Sequence, residues 1–162
     1  MSGRAHNAAA EPGGTLPDGA HEAALAALDA LRGAATGPRR AIVAALVAAD
    51  RLQTPEQILA EARSEAPSTS LATVYRTLER LDAAGRIKRA TMATGAVGYA
   101  YCGGGHHDHA ICTRCGRVVR VDSCAASAWQ PPAGFRVASH DLNFYGTCEA
   151  CATAAGAATP AH

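Results

Sequence analysis

Apolar positions in the first half of the chain recur at the three-and-four spacing of helices that bury one face. Leu25, Leu28 and Leu31 mark the first stretch, which Gly33 closes. Thr36-Gly-Pro38 opens a second, with proline suited to the first helical turn and threonine to the cap. Ile42, Val43, Leu46 and Val47 form its stripe. Thr54-Pro-Glu-Gln57 is a capping-box pattern; it starts a third helix that buries Ile58 and Leu59 and stops before Pro67. Ser68-Thr69-Ser70 caps a fourth helix, with Leu71, Val74, Leu78 and Leu81 as its core face. Thr73, Arg76, Thr77 and Arg80 form the opposite face, with Tyr75 at its edge. After Gly85 the period changes to alternation, and residues 86–89 and 97–101 predict a β-hairpin. Short helices followed by a two-stranded wing predict a winged helix-turn-helix whose last helix enters the major groove. On that plan Thr73, Tyr75, Arg76 and Arg80 face DNA, and the basic wing residues Lys88 and Arg89 reach phosphates.

The second half is short and β-rich. Residues 110–111 lead into Cys112, Gly116 turns the chain back, and residues 117–121 alternate as a strand. Residues 123–129 predict a short helix stopped by Pro131-Pro132, and residues 134–138 and 142–145 predict two further strands. About 50 residues bury little core alone, so a metal clamp and a partner subunit are expected, with dimerisation through the sheet. Residues 1–20 and 152–162 are rich in small residues with little to bury and are expected to be disordered tails. The division is therefore a DNA-binding unit over 21–101 and a zinc-containing dimerisation unit over 102–151.

The chemistry is concentrated in Cys102-Gly-Gly-Gly-His106-His107-Asp108-His109-Ala-Ile-Cys112-Thr-Arg-Cys115. Cys112-x-x-Cys115 has a counterpart in Cys148-x-x-Cys151. Four thiolates suit a tetrahedral structural zinc site, here pinning the two ends of a small folded unit. The start of the chain lacks the basic-then-apolar order of a secretory signal. Six cysteines interleaved with histidines then indicate metal in a reducing cytoplasm rather than a disulfide scaffold. A formal net charge of +1 advertises neither nucleic acid nor membrane, and no apolar run reaches the length of a membrane span. A zinc hydrolase or deaminase needs a general base beside the metal-bound water. The one glutamate of the second half, Glu149, is wedged between the paired cysteines, so an enzyme is not expected. Two cysteine pairs with a histidine cluster also suit metal better than dithiol redox chemistry.

Three stretches resemble the ferric uptake regulator family of metal-dependent repressors. They are Leu71-Ala-Thr-Val-Tyr-Arg-Thr-Leu78, His106-His-Asp-His-Ala-Ile-Cys-Thr-Arg-Cys-Gly116, and Gly134-Phe-Arg-Val-Ala-Ser-His140 running on to Phe144-Tyr-Gly-Thr-Cys-Glu-Ala-Cys151. The resemblance covers roughly residues 21–151. It implies an α+β fold, in which an N-terminal winged helix-turn-helix DNA-binding domain is joined by a hinge to a small α/β dimerisation domain. It also implies a homodimer on palindromic, A·T-rich double-stranded operator DNA, with bound metal setting the angle between domains. Tyr75 and Arg76 match the family's base-contacting pair, and the four paired cysteines match its structural zinc site.

The resemblance bears on the sensed metal as well. The iron-sensing branch takes hinge ligands at positions that are Leu52 and Ala100 here, and neither can bind metal. The zinc-sensing branch uses a cysteine at the end of the wing, and Cys102 occupies that place. Thiolate favours zinc over iron or manganese, so zinc is expected, one structural ion and one or two regulatory ions per protomer. An iron, peroxide or other metal sensor of the same family is the alternative. On an extended segment alternate residues share a side. That assigns Cys102, His107 and His109 to the hinge site, and His106, Asp108 and His140 to a second site. The aspartate that completes the hinge site in the zinc branch is Lys88 here, which leaves the fourth ligand unnamed. The helical glutamate of the second site is Ser127, and Cys124, three residues earlier, is either its replacement or a small buried hydrophobe.

Overall fold

Local signals set where the helices start and stop. In a computed structural model, residues 19–30, 36–104, 107–121, 130–138 and 140–155 are described. Helix α1 (Ala20–Ala30) precedes α2 (Gly37–Ala48), which carries Pro38 in its first turn. The Thr36 hydroxyl makes no capping bond, so the expected threonine cap is supplied only by its extended backbone. Helix α3 (Pro55–Glu65) has the complete capping box. Gln57 N–H donates to Thr54 Oγ1 at 3.3 Å, and Thr54 N–H donates to Gln57 Oε1 at 2.8 Å, which satisfies two otherwise orphaned donors. In α4 (Leu71–Ala83) Thr73 N–H donates to Ser70 Oγ at 3.2 Å. The helix ends where Gly85 takes φ +63° and Arg86 N–H reaches back to Leu81 O at 2.8 Å, a closure that favours glycine.

One apolar core joins the four helices to the wing. Leu28, Ile42, Leu46, Ile58, Val74, Leu78 and Leu81 are its buried centre, with Ile87 and Tyr101 entering from the wing. Thr77 corrects the sequence reading. It is fully buried with Val74 and Leu78 rather than on the exposed face, because its hydroxyl donates to Thr73 O at 2.8 Å and so is satisfied within the helix.

The wing is β1 (Ile87–Thr91) antiparallel to β2 (Val97–Tyr101), with Ile87 opposite Tyr101. A second sheet has the order β4-β3-β5, with β3 (Asp108–Cys112) flanked by antiparallel β4 (Val118–Val121) and parallel β5 (Asn143–Gly146). Gly116, at φ +75°, makes the turn after Cys112. Helix α5 (Glu149–Ala154) follows Cys148. It carries regular structure into residues expected to be tail, as α1 does at Ala20. Residues 134–138 form no strand. Phe135 N–H donates to Pro132 O at 3.0 Å in a turn, and Phe135 and Val137 face solvent instead of a core. The helix expected over 123–129 lies outside the described residues, as do nearly all of residues 1–20 and the last residues of the chain.

Residues 50–53 cross between the two sheets. Val118 N–H donates to Asp50 O at 2.9 Å and Leu52 N–H to Gly116 O at 2.8 Å, while Gln53 exchanges two 2.9 Å bonds with Tyr99 of the wing. Leu52 lies between them, 2% exposed, in a second apolar cluster with Ala90, Ala100 and Ile111. Gly98 makes that approach possible. A Cβ there would lie 2.8 Å from Leu52 Cβ and 2.9 Å from Met92 Sδ. Gly98→Ala is therefore expected to lower unfolding free energy by about 1–3 kcal/mol through overpacking. Gly37→Ala, whose Cβ meets nothing within 4 Å, is expected to leave it unchanged or slightly raised. Denaturant unfolding of the two variants side by side checks both.

Candidate metal centres and nucleic-acid interface

The four paired cysteines converge from three elements. Cys112 ends β3, Cys115 follows in the turn, Cys148 caps α5 and Cys151 lies in its first turn. All four sulfurs lie within 4.8 Å of one another, and none is in a disulfide. Cys115 Sγ and Cys148 Sγ are 3.7 Å apart. A Zn–S bond of about 2.3 Å puts the corners of a sulfur tetrahedron about 3.8 Å apart, so the spacing fits a metal. Burial pushes the Cys112 thiol up, but N–H groups outweigh it, that of Cys148 donating at 3.3 Å, and hold it at about 6. The crowded Cys151 thiol is pushed up to about 12, first by hydrogen bonding to Cys115. Four thiolates therefore need a compensating cation.

Cys102, at the end of the wing, and His107 and His109, at the start of the second sheet, form another cluster with ligand atoms within 4.8 Å. The imidazole centroids are 4.7 Å apart. His107 is 9% and His109 5% exposed. Both ring nitrogens of His109 are buried without a hydrogen-bond partner, a costly arrangement unless something ligates one of them. Burial, then the neighbouring His107 and Lys88, lower the His109 pKa to about 4. The ring is thus neutral at physiological pH and its lone pair is available. Burial raises the Cys102 thiol to about 11 against the pull of Lys88, Arg120 and Arg86, so ligation there displaces a proton. One thiol and two imidazoles together suit a borderline metal that accepts sulfur and nitrogen.

Of the second set, Asp108 is fully buried and His140 is exposed. His106, Cys124 and Ser127 lie outside the described residues.

On α4, Tyr75 is 43% exposed and Arg76 is exposed; Thr73 and Arg80 are partly buried. Arg76 Nη2 donates to Thr73 Oγ1 at 3.4 Å, and Thr73 Oγ1 is 2.9 Å from Ser70 Oγ, so the helix start carries a linked polar surface. Arg89 points outward from the wing. Lys88 does not, and its assignment as a phosphate contact is corrected. It is 7% exposed, and its Nζ lies 2.5 Å from both carboxylate oxygens of Asp141. Alternation along β1 turns Arg89 to solvent and Lys88 inward. Lys88 in turn holds the Asp141 carboxyl below its ordinary value. Asp141 is the residue sequence reading missed. Its one signal was Lys88 itself, a cation at an inward position, which requires an anionic partner.

The profile of the Ferric uptake regulator family matches residues 32–145. A ferric uptake regulation protein of Neisseria meningitidis is 31% identical over 121 residues, covering 72% of this chain and 84% of that one. A zinc uptake regulation protein of Mycobacterium tuberculosis is also 31% identical, over 120 residues, covering 72% of this chain and 92% of that one. The structure of a ferric uptake regulator from Francisella tularensis with iron superposes with a TM-score of 0.55 at 30% identity, covering 72% and 92% of the two chains. Among the described residues no helix is long and apolar enough to cross a membrane. With its α+β fold and a profile match over most of its length, this chain belongs to the ferric uptake regulator family of metal-responsive transcriptional regulators, which are not enzymes.

Proposed function

We propose that the chain is a zinc-responsive repressor of metal-uptake and homeostasis genes that binds palindromic operator DNA as a metal-loaded homodimer. The observation that carries this reading is the Cys102–His107–His109 cluster at the meeting of wing and second sheet. A thiolate in the hinge site favours zinc over iron or manganese. Leu52 and Ala100 lie in an apolar cluster and add no oxygen or nitrogen donor. Overall similarity does not choose the metal, since ferric and zinc relatives stand at equal identity.

In this reading Cys112, Cys115, Cys148 and Cys151 hold a structural zinc, and Cys102, His107 and His109 hold the regulatory one. Ligation ties the wing to β3 and shifts the population toward the arrangement that binds DNA. Couplings of this kind are about 1–3 kcal/mol, and by reciprocity operator DNA tightens zinc binding by the same factor. A second site on Asp108 and His140 draws on His106 and Cys124. Tyr75 and Arg76 read bases, while Thr73, Arg80 and Arg89 contact the backbone. Exposed Phe144 and Tyr145 on β5, an edge strand among the described residues, offer apolar surface for a second copy, and Phe135 is exposed as well.

Metal content per protomer, followed by titration of chelator-treated protein with zinc and iron(II), tests the sensor. One zinc surviving chelation and one or two more binding tightly, with iron far weaker, is expected; iron(II) filling the labile sites instead overturns zinc sensing. Full zinc stoichiometry and affinity in Cys124→Ser would remove Cys124 from the second site. In operator binding, Arg76→Ala is expected to cost about 1–3 kcal/mol and relax sequence preference, whereas Arg89→Ala lowers affinity on all sequences and reduces the salt slope by about 1. Sedimentation should find wild type dimeric and Phe144→Glu shifted toward monomer; an unchanged dimer would place the interface elsewhere.

A further inference from the structure

The Cys102–His107–His109 cluster supplies three donors, and zinc held by protein takes four ligands in a tetrahedron. We propose that Asp141 is the fourth ligand, giving the metal one carboxylate oxygen while Lys88 keeps the other. This rests on the reading that the cluster holds a metal ion.

Strand register brings the groups together. In the parallel pair His109 lies opposite Asn143, and His109 N–H donates to Leu142 O at 3.2 Å. His107 and Asp141 each precede that pair by two residues, so alternation turns both toward the side that carries His109. In the wing, Lys88 lies opposite Ala100. Cys102 N–H donates to Arg86 O at 3.0 Å, which continues the ladder one step past β2. Lys88 and Cys102 therefore share the wing face that meets β3. The Lys88–Asp141 ion pair spans this junction, with Nζ 2.5 Å from both oxygens. The two partners differ sharply in burial, the Lys88 side chain being 9% and the Asp141 side chain 64% exposed. Lys88 is buried in the junction, and the Asp141 carboxylate, which meets it through both oxygens, would release one of them to the metal.

Charge balance favours the same assignment. A dication on one thiolate and two neutral imidazoles carries a net positive charge, and an ammonium beside it would be repelled. A carboxylate between them neutralises the metal and retains a charge-assisted hydrogen bond to Lys88, the outer-shell contact that orients a ligating carboxylate. The lysine thus positions the ligand rather than ligating.

The test uses the full-length protein with its four-cysteine site filled by zinc, and cobalt(II) as the probe of the hinge site. Wild type should show a thiolate-to-cobalt band and the intense visible absorption of a four-coordinate ion. Asp141→Asn should weaken cobalt and zinc binding by about 10-fold or more and alter the visible bands while the thiolate band persists. Lys88→Met should keep the wild-type band shape. Wild-type spectrum and affinity in Asp141→Asn would overturn the proposal. So would equal losses of affinity in the two variants with unchanged spectra, since the pair would then be only a tie between the sheets. If no thiolate band appears that Cys102→Ser removes, the metal-site reading itself fails along with it.

Discussion

The attachment of residues 50–53 to both sheets is the constraint on which the rest of the arrangement depends. A two-stranded wing is marginal by itself. Here the exchange of hydrogen bonds between Gln53 and Tyr99 adds a third backbone to it, and the bonds from Leu52 to Gly116 and from Val118 to Asp50 carry that backbone onto the second sheet. Leu52 seals the junction against Ala90, Ala100 and Ile111, and Arg117 Nε adds an ion pair to Asp50 at 3.3 Å. This exposed pair contributes little; the buried leucine and backbone bonds decide the geometry. Because they set where β2 ends relative to where β3 begins, they also set the distance between Cys102 and the two histidines.

The two cysteine-containing clusters sit differently in this frame. All four paired cysteines belong to the second half, linking the β3–β4 turn to the first turn of α5. That half buries little apolar surface of its own, with Ile111 its one large aliphatic side chain that is fully buried among the described residues. A metal held there would substitute for a missing core, since the binding free energy of such a site is folding free energy. The Cys102 cluster instead draws its donor atoms from both sides of the junction, so a metal held there would bear on how the halves are placed.

The features legible in the sequence are those set by neighbours a few residues apart. The Thr54–Gln57 box, the stop at Gly85, the C-x-x-C pairs and the shared side of His107 and His109 all follow from local spacing. What escaped depends on groups far along the chain or on a second function of a side chain. Thr77 carries a polar atom, which suggested exposure, but that atom is satisfied one turn back on its own helix. Lys88 looked like a basic wing residue because its partner lies more than fifty residues away. Residues 134–138 alternate like a strand, yet they pair with no strand among the described residues, and Phe135 and Val137 face outward. The α5 extension past Cys151 had no apolar stripe to announce it.

Placement of the ligands also explains why a regulatory ion in such a site would exert only a modest coupling. A structural zinc contributes apparent binding free energy of about 10–16 kcal/mol, but a ligand shifts an equilibrium only by its differential affinity for the two states. If the wing turns away, Cys102 leaves with it while His107 and His109 stay on β3, so the open form forfeits part of the ligand set and keeps the rest. Opening must also break the bonds of residues 50–53 and expose Leu52 whether or not metal is present. The metal-dependent part is thus the contribution of the ligand carried by the wing, less the proton that the buried Cys102 thiol gives up. Allosteric couplings are typically about 1–3 kcal/mol, and a coupling of that size would change operator occupancy severalfold without the ion having to hold the molecule together.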